Sequence, residues 1–205
     1  ILVLNYFNFN SANAANNYTY KISHIPAATR TLMRQYTWRI GCPVSLDDLS
    51  YIKISYWGFD HRKHMGKLIV NKTLAKEVVE IFRDLYEKKF PIERMQLMDS
   101  FQGNDDAAMA ANNTSAFICR AITGKPGIFS QHSYGTAIDI NTMINPYVKG
   151  DQVLPPEGRK YLNRAQQTQG RFVQDDATYN DFVKRGWPWG GCWQTRRDLQ
   201  HLTTK

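Results

Sequence analysis

The clearest apolar rhythm in the chain lies between residues 73 and 89. Leu74, Val78, Ile81, Phe82 and Leu85 recur at the three- and four-residue spacing that places side chains on one face of a helix. Asn71 or Thr73 is placed to cap the start of this helix, and Pro91 follows its end. Residues 136–141 keep a different rhythm. Ile138 and Ile140 alternate with Ala137, Asp139 and Asn141, which predicts a half-buried strand whose isoleucines face the core. Residues 46–56 read as a turn and then an alternating strand, and residues 66–70 as a second short strand. Weaker signals predict helices over 27–38 and 179–185, a strand over 94–99, and loops over 104–113 and 147–156. Residues 8–20, rich in Asn, Ser and Ala, read as a loop or extended arm.

Strands and helices intermix without a regular βα repeat, so an α+β fold is expected. No internal repeat or separate linker is evident. Residues 1–40 are expected to form an N-terminal arm packed on a single domain spanning 41–205. A chain of 205 residues with 42% hydrophobic content can bury a substantial core and is not expected to be disordered. No run of some 18 apolar residues occurs, so no membrane-spanning segment is expected. The chain begins at Ile1 rather than Met, and residues 1–9 lack the basic lead and small-residue cleavage site of a signal peptide. A mature or trimmed form is therefore expected.

Charge and cysteine content narrow the partners. Lys and Arg total 26 against 18 Asp and Glu, a net charge of +8. The basic residues are scattered, as at Arg30 and Arg34, Arg62 and Lys63, Lys88 and Lys89, Arg196 and Arg197, with no dense tract and no nucleic-acid motif. Nucleic acid is not expected as a partner. An anionic cell wall would account for the same charge, as would an ordinary solvated surface. Three cysteines, Cys42, Cys119 and Cys192, leave at least one without an intrachain partner. No Cys-x-x-Cys occurs, so a metal site built on paired thiolates is not expected.

The chemistry-bearing residues cluster in two places. Ser130-x-His132-x-x-Gly135-x-Ala137-x-Asp139 joins an imidazole to a carboxylate. Asp139 comes seven positions after His132, an odd offset that would put them on opposite faces of a straight strand. A bend over Ser133, Tyr134 and Gly135 brings them to one face, with Gly135 tolerating the unusual backbone angle. Near the end, Asp198 and His201 are three apart, which in a helical turn places both on one face. Two imidazoles and a carboxylate suit a metal with one open position for water, and the spare carboxylate suits a base. Just upstream, Trp187, Trp189 and Trp193 surround Gly190 and Gly191. They suit either a tight turn with core rings or one wall of a cleft, with Trp187 expected in the core and Trp193 on the cleft. His24, His61 and His64 are expected to be structural or surface residues.

The pattern Ser-x-His-x-x-Gly-x-Ala-x-Asp, followed by Trp-Gly-Gly-x-Trp and Asp-x-x-His, resembles the D-alanyl-D-alanine carboxypeptidase and L-alanyl-D-glutamate endopeptidase family. These zinc enzymes cut the peptides of bacterial peptidoglycan, and phage endolysins are among them. The resemblance runs from about Cys42 to His201. It implies a small antiparallel sheet flanked by helices with zinc on one sheet face, as in the D,D-peptidases and hedgehog-type domains. It implies one zinc ion held by His132, Asp139 and His201, with Asp198 as general base and acid. Arg120 would bind the substrate near the reacting carbonyl, Ser130 would order the site and meet substrate, and Trp193 would line the cleft. Relatives tend to carry cysteine at the positions of Cys42 and Cys119, which favours that disulfide; Cys119 with Cys192 is the competing pair. The implied substrates are peptidoglycan stem peptides, met in the periplasm or outside the cell. An Asp rather than a Glu as base tilts the expected bond towards L-alanyl-D-glutamate, with D-alanyl-D-alanine as the alternative. A non-catalytic, zinc-containing wall-binding module is a further alternative. Two features depart from the family: Leu202 to Lys205 replace the usual Phe and acidic continuation, and Cys192 stands where relatives are often polar or acidic.

Overall fold

The computed structural model describes residues 17–204. The expectations for residues 1–9, and for the part of the 8–20 arm before residue 17, lie outside the described residues. The elements run β1 (Tyr20–Ser23), α1 (Ala27–Tyr36), β2 (Leu49–Trp57), β3 (Lys63–Asn71), α2 (Ala75–Glu87), β4 (Arg94–Met95), α3 (Asp105–Ala110) and β5 (Asn113–Thr114). They continue with β6 (Ala121–Ile122), β7 (Lys125–Phe129), β8 (Ala137–Asp139), β9 (Tyr147–Lys149), β10 (Gln152–Leu154), α4 (Ala177–Val183), β11 (Arg197–Asp198) and β12 (His201–Thr203).

The organising layer is the antiparallel sheet β1-β2-β3. Strand alternation splits its side chains between two cores. Ile52, Ile54, Leu68 and Val70 pack against Val78, Val79, Ile81, Phe82 and Leu85 of α2. Leu49, Tyr51 and Ile69 point the other way, towards Ile25, Met33, Phe117 and Cys119. The first core extends through Ile138, Ile140 and Leu202 to Phe172, Phe182, Trp187 and Trp189. Helices thus flank small, mostly antiparallel sheets in a mixed α+β arrangement; β4 and β5 form a parallel pair. No described helix is long and apolar enough to cross a membrane.

Helix α2 begins two residues later than its periodicity predicts. Asn71 Oδ1 accepts hydrogen bonds from the Thr73 N–H (3.1 Å) and hydroxyl (2.8 Å), so both predicted caps close a turn ahead of the helix instead. Leu74 takes the N-cap position without a side-chain bond. The strand expected over 94–99 shrinks to β4, followed by a 3-10 turn at Met98–Phe101. Two predicted loops are ordered elements. Residues 147–156 hold the β9–β10 hairpin. Residues 104–113 hold α3, started by Asn104, whose side chain accepts from the Ala107 N–H at 2.9 Å. Six residues are too few to show helical periodicity, so the cap and the alanines carry this helix.

Cys42 and Cys119 are joined by a disulfide, and Cys192 is free and exposed. Close to the bridge, the Cys119 N–H donates to Thr37 O (2.9 Å) and Arg39 Nη1 donates to Cys119 O (3.1 Å). The end of α1 is thereby tied to the segment entering Arg120. The bridge spans 77 residues, for which loop-closure entropy contributes about 4 kcal/mol. Urea unfolding with and without reductant is expected to differ by roughly that amount; equal midpoints would show that the bridge does not constrain the fold.

Candidate metal centre

Strands β8 and β12 pair antiparallel with His201 directly opposite Asp139 and Leu202 opposite Ile138. Directly opposed residues share a face, with Cβ atoms about 4.5–5.5 Å apart. Ile138 and Leu202 are fully buried in the core, so Asp139 and His201 emerge together on the other face. His201 Nδ1 lies 3.0 Å from Asp139 Oδ1.

His132 reaches the same point by the bend its spacing requires. Ser130 caps a 3-10 turn over Gln131–Tyr134, its hydroxyl facing the His132 N–H at 3.4 Å. Gly135 then reverses the chain at φ +70°. A Cβ there would be strained by that angle and would also come within 2.6 Å of the Asn71 nitrogen, so this turn requires glycine. His132 Nε2 stands 3.1 Å from Asp139 Oδ2 and 3.2 Å from His201 Nδ1. Its Nδ1 is 2.5 Å from Ala116 O. A carbonyl can only accept, so Nδ1 carries a hydrogen, and Nε2 is the nitrogen left to face the other two groups.

All three residues are buried, at 2%, 5% and 7% exposure, and the structure places their ligand atoms within 4.8 Å of one another. Zinc binds imidazole nitrogen and carboxylate oxygen at about 2.0–2.2 Å. The two nitrogens are 3.2 Å apart, and each lies within 3.1 Å of one oxygen of Asp139, His132 against Oδ2 and His201 against Oδ1, so the donor set is compact enough for a single divalent cation. Burial opposes the charge on Asp139, but His132 and His201 overcome it and hold the carboxyl well below the usual range. No other such group occurs among the described residues. His64 pairs instead with Asp60 at 2.9 Å and stacks on Tyr56.

Asp198 and His201 do not share a helical turn. Asp198 lies on β11, which pairs with β9, while His201 lies on β12, which pairs with β8. The chain steps from one small sheet to the other through buried Leu199 and Gln200, because each strand finds a different hydrogen-bonding partner. The tryptophan segment sets this step. Trp189 Nε1–H donates to Leu199 O at 2.8 Å, and Trp189 bridges to Leu202. A Cβ on Gly190 would meet Asp198 Cβ and O at 2.8 Å and His201 Cβ at 3.4 Å, so the glycine backbone packs directly beneath both residues. Trp187 is fully buried, donating to Glu77 Oε1, and the Trp193 ring lies 5.5 Å from that of His201.

Asp198 Oδ1 is buried without a hydrogen-bond partner among the described residues. Burial is the main cause that pushes its carboxyl up to about 7; Asp139 adds to the rise, and His201, Arg120 and Arg196 oppose it. Arg120 enters the same cleft. Its backbone N–H donates to Ser133 Oγ (2.9 Å), and Ser130 N–H donates to its carbonyl (3.0 Å). Its guanidinium pairs with Asp105 at 3.1 Å, while Nε is buried without a partner. Sequence reasoning missed Asp105, which sits in a stretch read as loop and carries no motif spacing. The cleft has a volume of about 160 Å³ and is lined by the three candidate ligands with Asp105, Arg120, Ser130, Trp193 and Asp198.

Residues 123–204 match the model of a family described as D-alanyl-D-alanine carboxypeptidase. No curated protein and no solved structure matches the chain. The matched stretch contains all three candidate ligands and Asp198; Arg120, Asp105 and the disulfide precede it. The family match and the His-Asp-His cluster together support metallopeptidase activity on peptidoglycan. Calorimetric titration of the metal-free protein is expected to show one site for zinc. His132→Ala and His201→Ala should each weaken it by more than the roughly 10–100-fold typical of losing an outer partner. Unchanged affinity in both variants would reject the site.

Proposed function

We propose that the protein is a zinc-dependent peptidase that hydrolyses a peptide bond in the stem peptides of peptidoglycan. The observation that carries the reading is the convergence of His132, Asp139 and His201 beside Asp198, whose Oδ1 is buried without a partner among the described residues, in a cleft that also receives Arg120. The family match favours the D-alanyl-D-alanine bond. The L-alanyl-D-glutamate preference expected from the sequence rests only on Asp198 standing where a Glu would favour the carboxypeptidase branch. The cell wall as place of action is supported by the net charge of +8 and by the Cys42–Cys119 disulfide, a bond that persists in oxidising compartments.

The chain's own residues divide the work. A zinc ion held by His132, Asp139 and His201 would supply Lewis acidity towards the carbonyl and lower the pKa of the attacking water. Asp198 takes the proton from that water as its oxygen adds to the carbonyl carbon. It returns the proton to the amine nitrogen as the C–N bond breaks. Burial pushes this carboxyl up, which favours taking the proton that it must later return. Arg120 places fixed positive charge near the oxygen that becomes negative. Asp105 holds one edge of that guanidinium and so sets its direction. Ser130 orders the turn that carries His132, and Trp193 supplies an apolar wall against which the peptide lies. Both Asp198 and Arg120 face the cleft, which favours catalysis over a binding module that has lost it.

Digestion of purified peptidoglycan with and without a chelator, with products identified by mass spectrometry, tests the reading. Chelator-sensitive loss of one terminal alanine is expected; release of peptides beginning at D-glutamate would instead establish the endopeptidase. Asp198→Asn should retain zinc and lose about 10²–10⁴-fold in turnover. Near-normal turnover in that variant would remove Asp198 from the mechanism.

A further inference from the structure

Four cations line the cleft: Arg120, Lys125, Lys149 and Arg196. Its three acids are Asp105, Asp139 and Asp198. Asp105 is committed to Arg120, and Asp139 to the two histidines. Arg196 has neither an ion pair nor a protein hydrogen bond among the described residues, yet it is half-buried and held in place. Its guanidinium lies over the Trp193 ring, 4.4 Å from the centroid. That stacking is an attractive contact and fixes the plane of the guanidinium. It also leaves the edge N–H groups open, in the fork geometry that takes a carboxylate through two parallel hydrogen bonds. Lys125 and Lys149 are exposed on the rim and lack any such mounting.

We propose that Arg196, mounted on Trp193, is a specificity-determining residue that binds a free carboxylate on the leaving side of the scissile bond. The inference rests on the peptidase reading and deepens it. The leaving nitrogen must come to Asp198 to collect its proton. Arg196 is two residues from Asp198 and lines the same cleft, and the ring beneath it packs beside His201. A carboxylate on the carbon that bears the leaving nitrogen therefore falls within reach of the guanidinium. Both bonds under consideration present that group. One releases a terminal alanine with its α-carboxylate. The other releases a glutamate whose α-carboxylate is free where the chain continues through its side-chain carboxyl. A neutral amide at this position would give the guanidinium fork no charged group to take both of its parallel hydrogen bonds.

The test uses zinc-loaded wild type, R196Q and R196K on two pairs of short stem peptides. Each pair differs only in that carboxylate, as free acid or primary amide. One pair ends in D-alanyl-D-alanine; the other carries the L-alanyl-D-glutamate bond. Wild type is expected to favour the acid of the pair it cleaves by about tenfold or more in kcat/KM, the range of a charge-assisted hydrogen bond. R196Q should lose far more on the acid than on the amide, bringing the ratio towards one at full zinc content, and R196K should keep part of it. The pair that is cleaved identifies the source of the carboxylate. Equal losses on acid and amide would mean that Arg196 acts on folding or on Asp198, and would overturn the inference while leaving the peptidase intact. An undiminished ratio in R196Q would overturn it too. If zinc-loaded wild type cleaves none of the four peptides, the peptidase reading fails and takes this inference with it.

Discussion

Two side chains that face each other across paired antiparallel strands must share a side of the sheet, and Asp139 and His201 stand in that relation. A slip of one residue would send one of them into the core and bring an apolar side chain out in its place. Ile138 and Leu202 prevent this. They are the facing pair one position on, both fully buried, and burying a side chain of that size contributes roughly 1.5–3 kcal/mol. A slipped register would forfeit that contribution and bury a charge as well. The hydrophobic core thus sets the relative position of two candidate ligands without touching either. His132 completes the set through a turn that glycine alone fits, and the Ala116 carbonyl fixes which of its nitrogens faces inward.

Asp198 is positioned by a different device. It sits on a strand of another sheet, brought alongside His201 by the jog at Leu199 and Gln200. The two glycines of the tryptophan segment let backbone pack where side chains would collide, Gly190 beneath Asp198 and Gly191 beneath the Trp189 ring. The consequence is a carboxyl oxygen out of water with no hydrogen-bond partner, an arrangement that costs stability. Such a cost is offset elsewhere in the fold, here by the large aromatic core of Phe172, Phe182, Trp187 and Trp189 beside it. A carboxylate bonded to nearby N–H groups would titrate low and return a proton poorly. Burial, with Oδ1 left without a partner, pushes this one up instead.

The parts of the site that were legible in the sequence are those whose spacing is itself a geometric constraint. The odd offset from His132 to Asp139 demanded a bend, and Gly135 marked where it falls. Alternation around Asp139 indicated which face it takes. The Asp198–His201 spacing was misleading because three residues apart means one face only in a helix. Between two strands the same offset works through a step that depends on β8 and β9, partners far away in the chain. Asp105 was illegible for a related reason. Its significance comes from meeting Arg120, and nothing local in an Asn- and Ala-rich stretch signals a contact across fifteen residues. Arg196 appeared only as one basic residue among many; its stacking on Trp193 is a tertiary fact.

Through Arg120, the chain ahead of the matched residues reaches the cleft. The candidate ligands and Asp198 all lie within 123–204, but everything that mounts Arg120 lies before that stretch or spans its boundary. Its neighbour Cys119 is bridged to Cys42, and the Cys119 N–H is held by Thr37 at the end of α1. Its guanidinium is aimed by Asp105, the first residue of α3. Only the Ser133 and Ser130 bonds to its backbone come from the matched part. A flexible arginine stabilises developing charge poorly, since ordering it at the moment of reaction adds to the barrier, whereas a pre-mounted one adds little. Under the proposed mechanism, the early elements act on the chemistry through one side chain. Helix α1 and the disulfide fix where Arg120 leaves the backbone, and α3 fixes where it points.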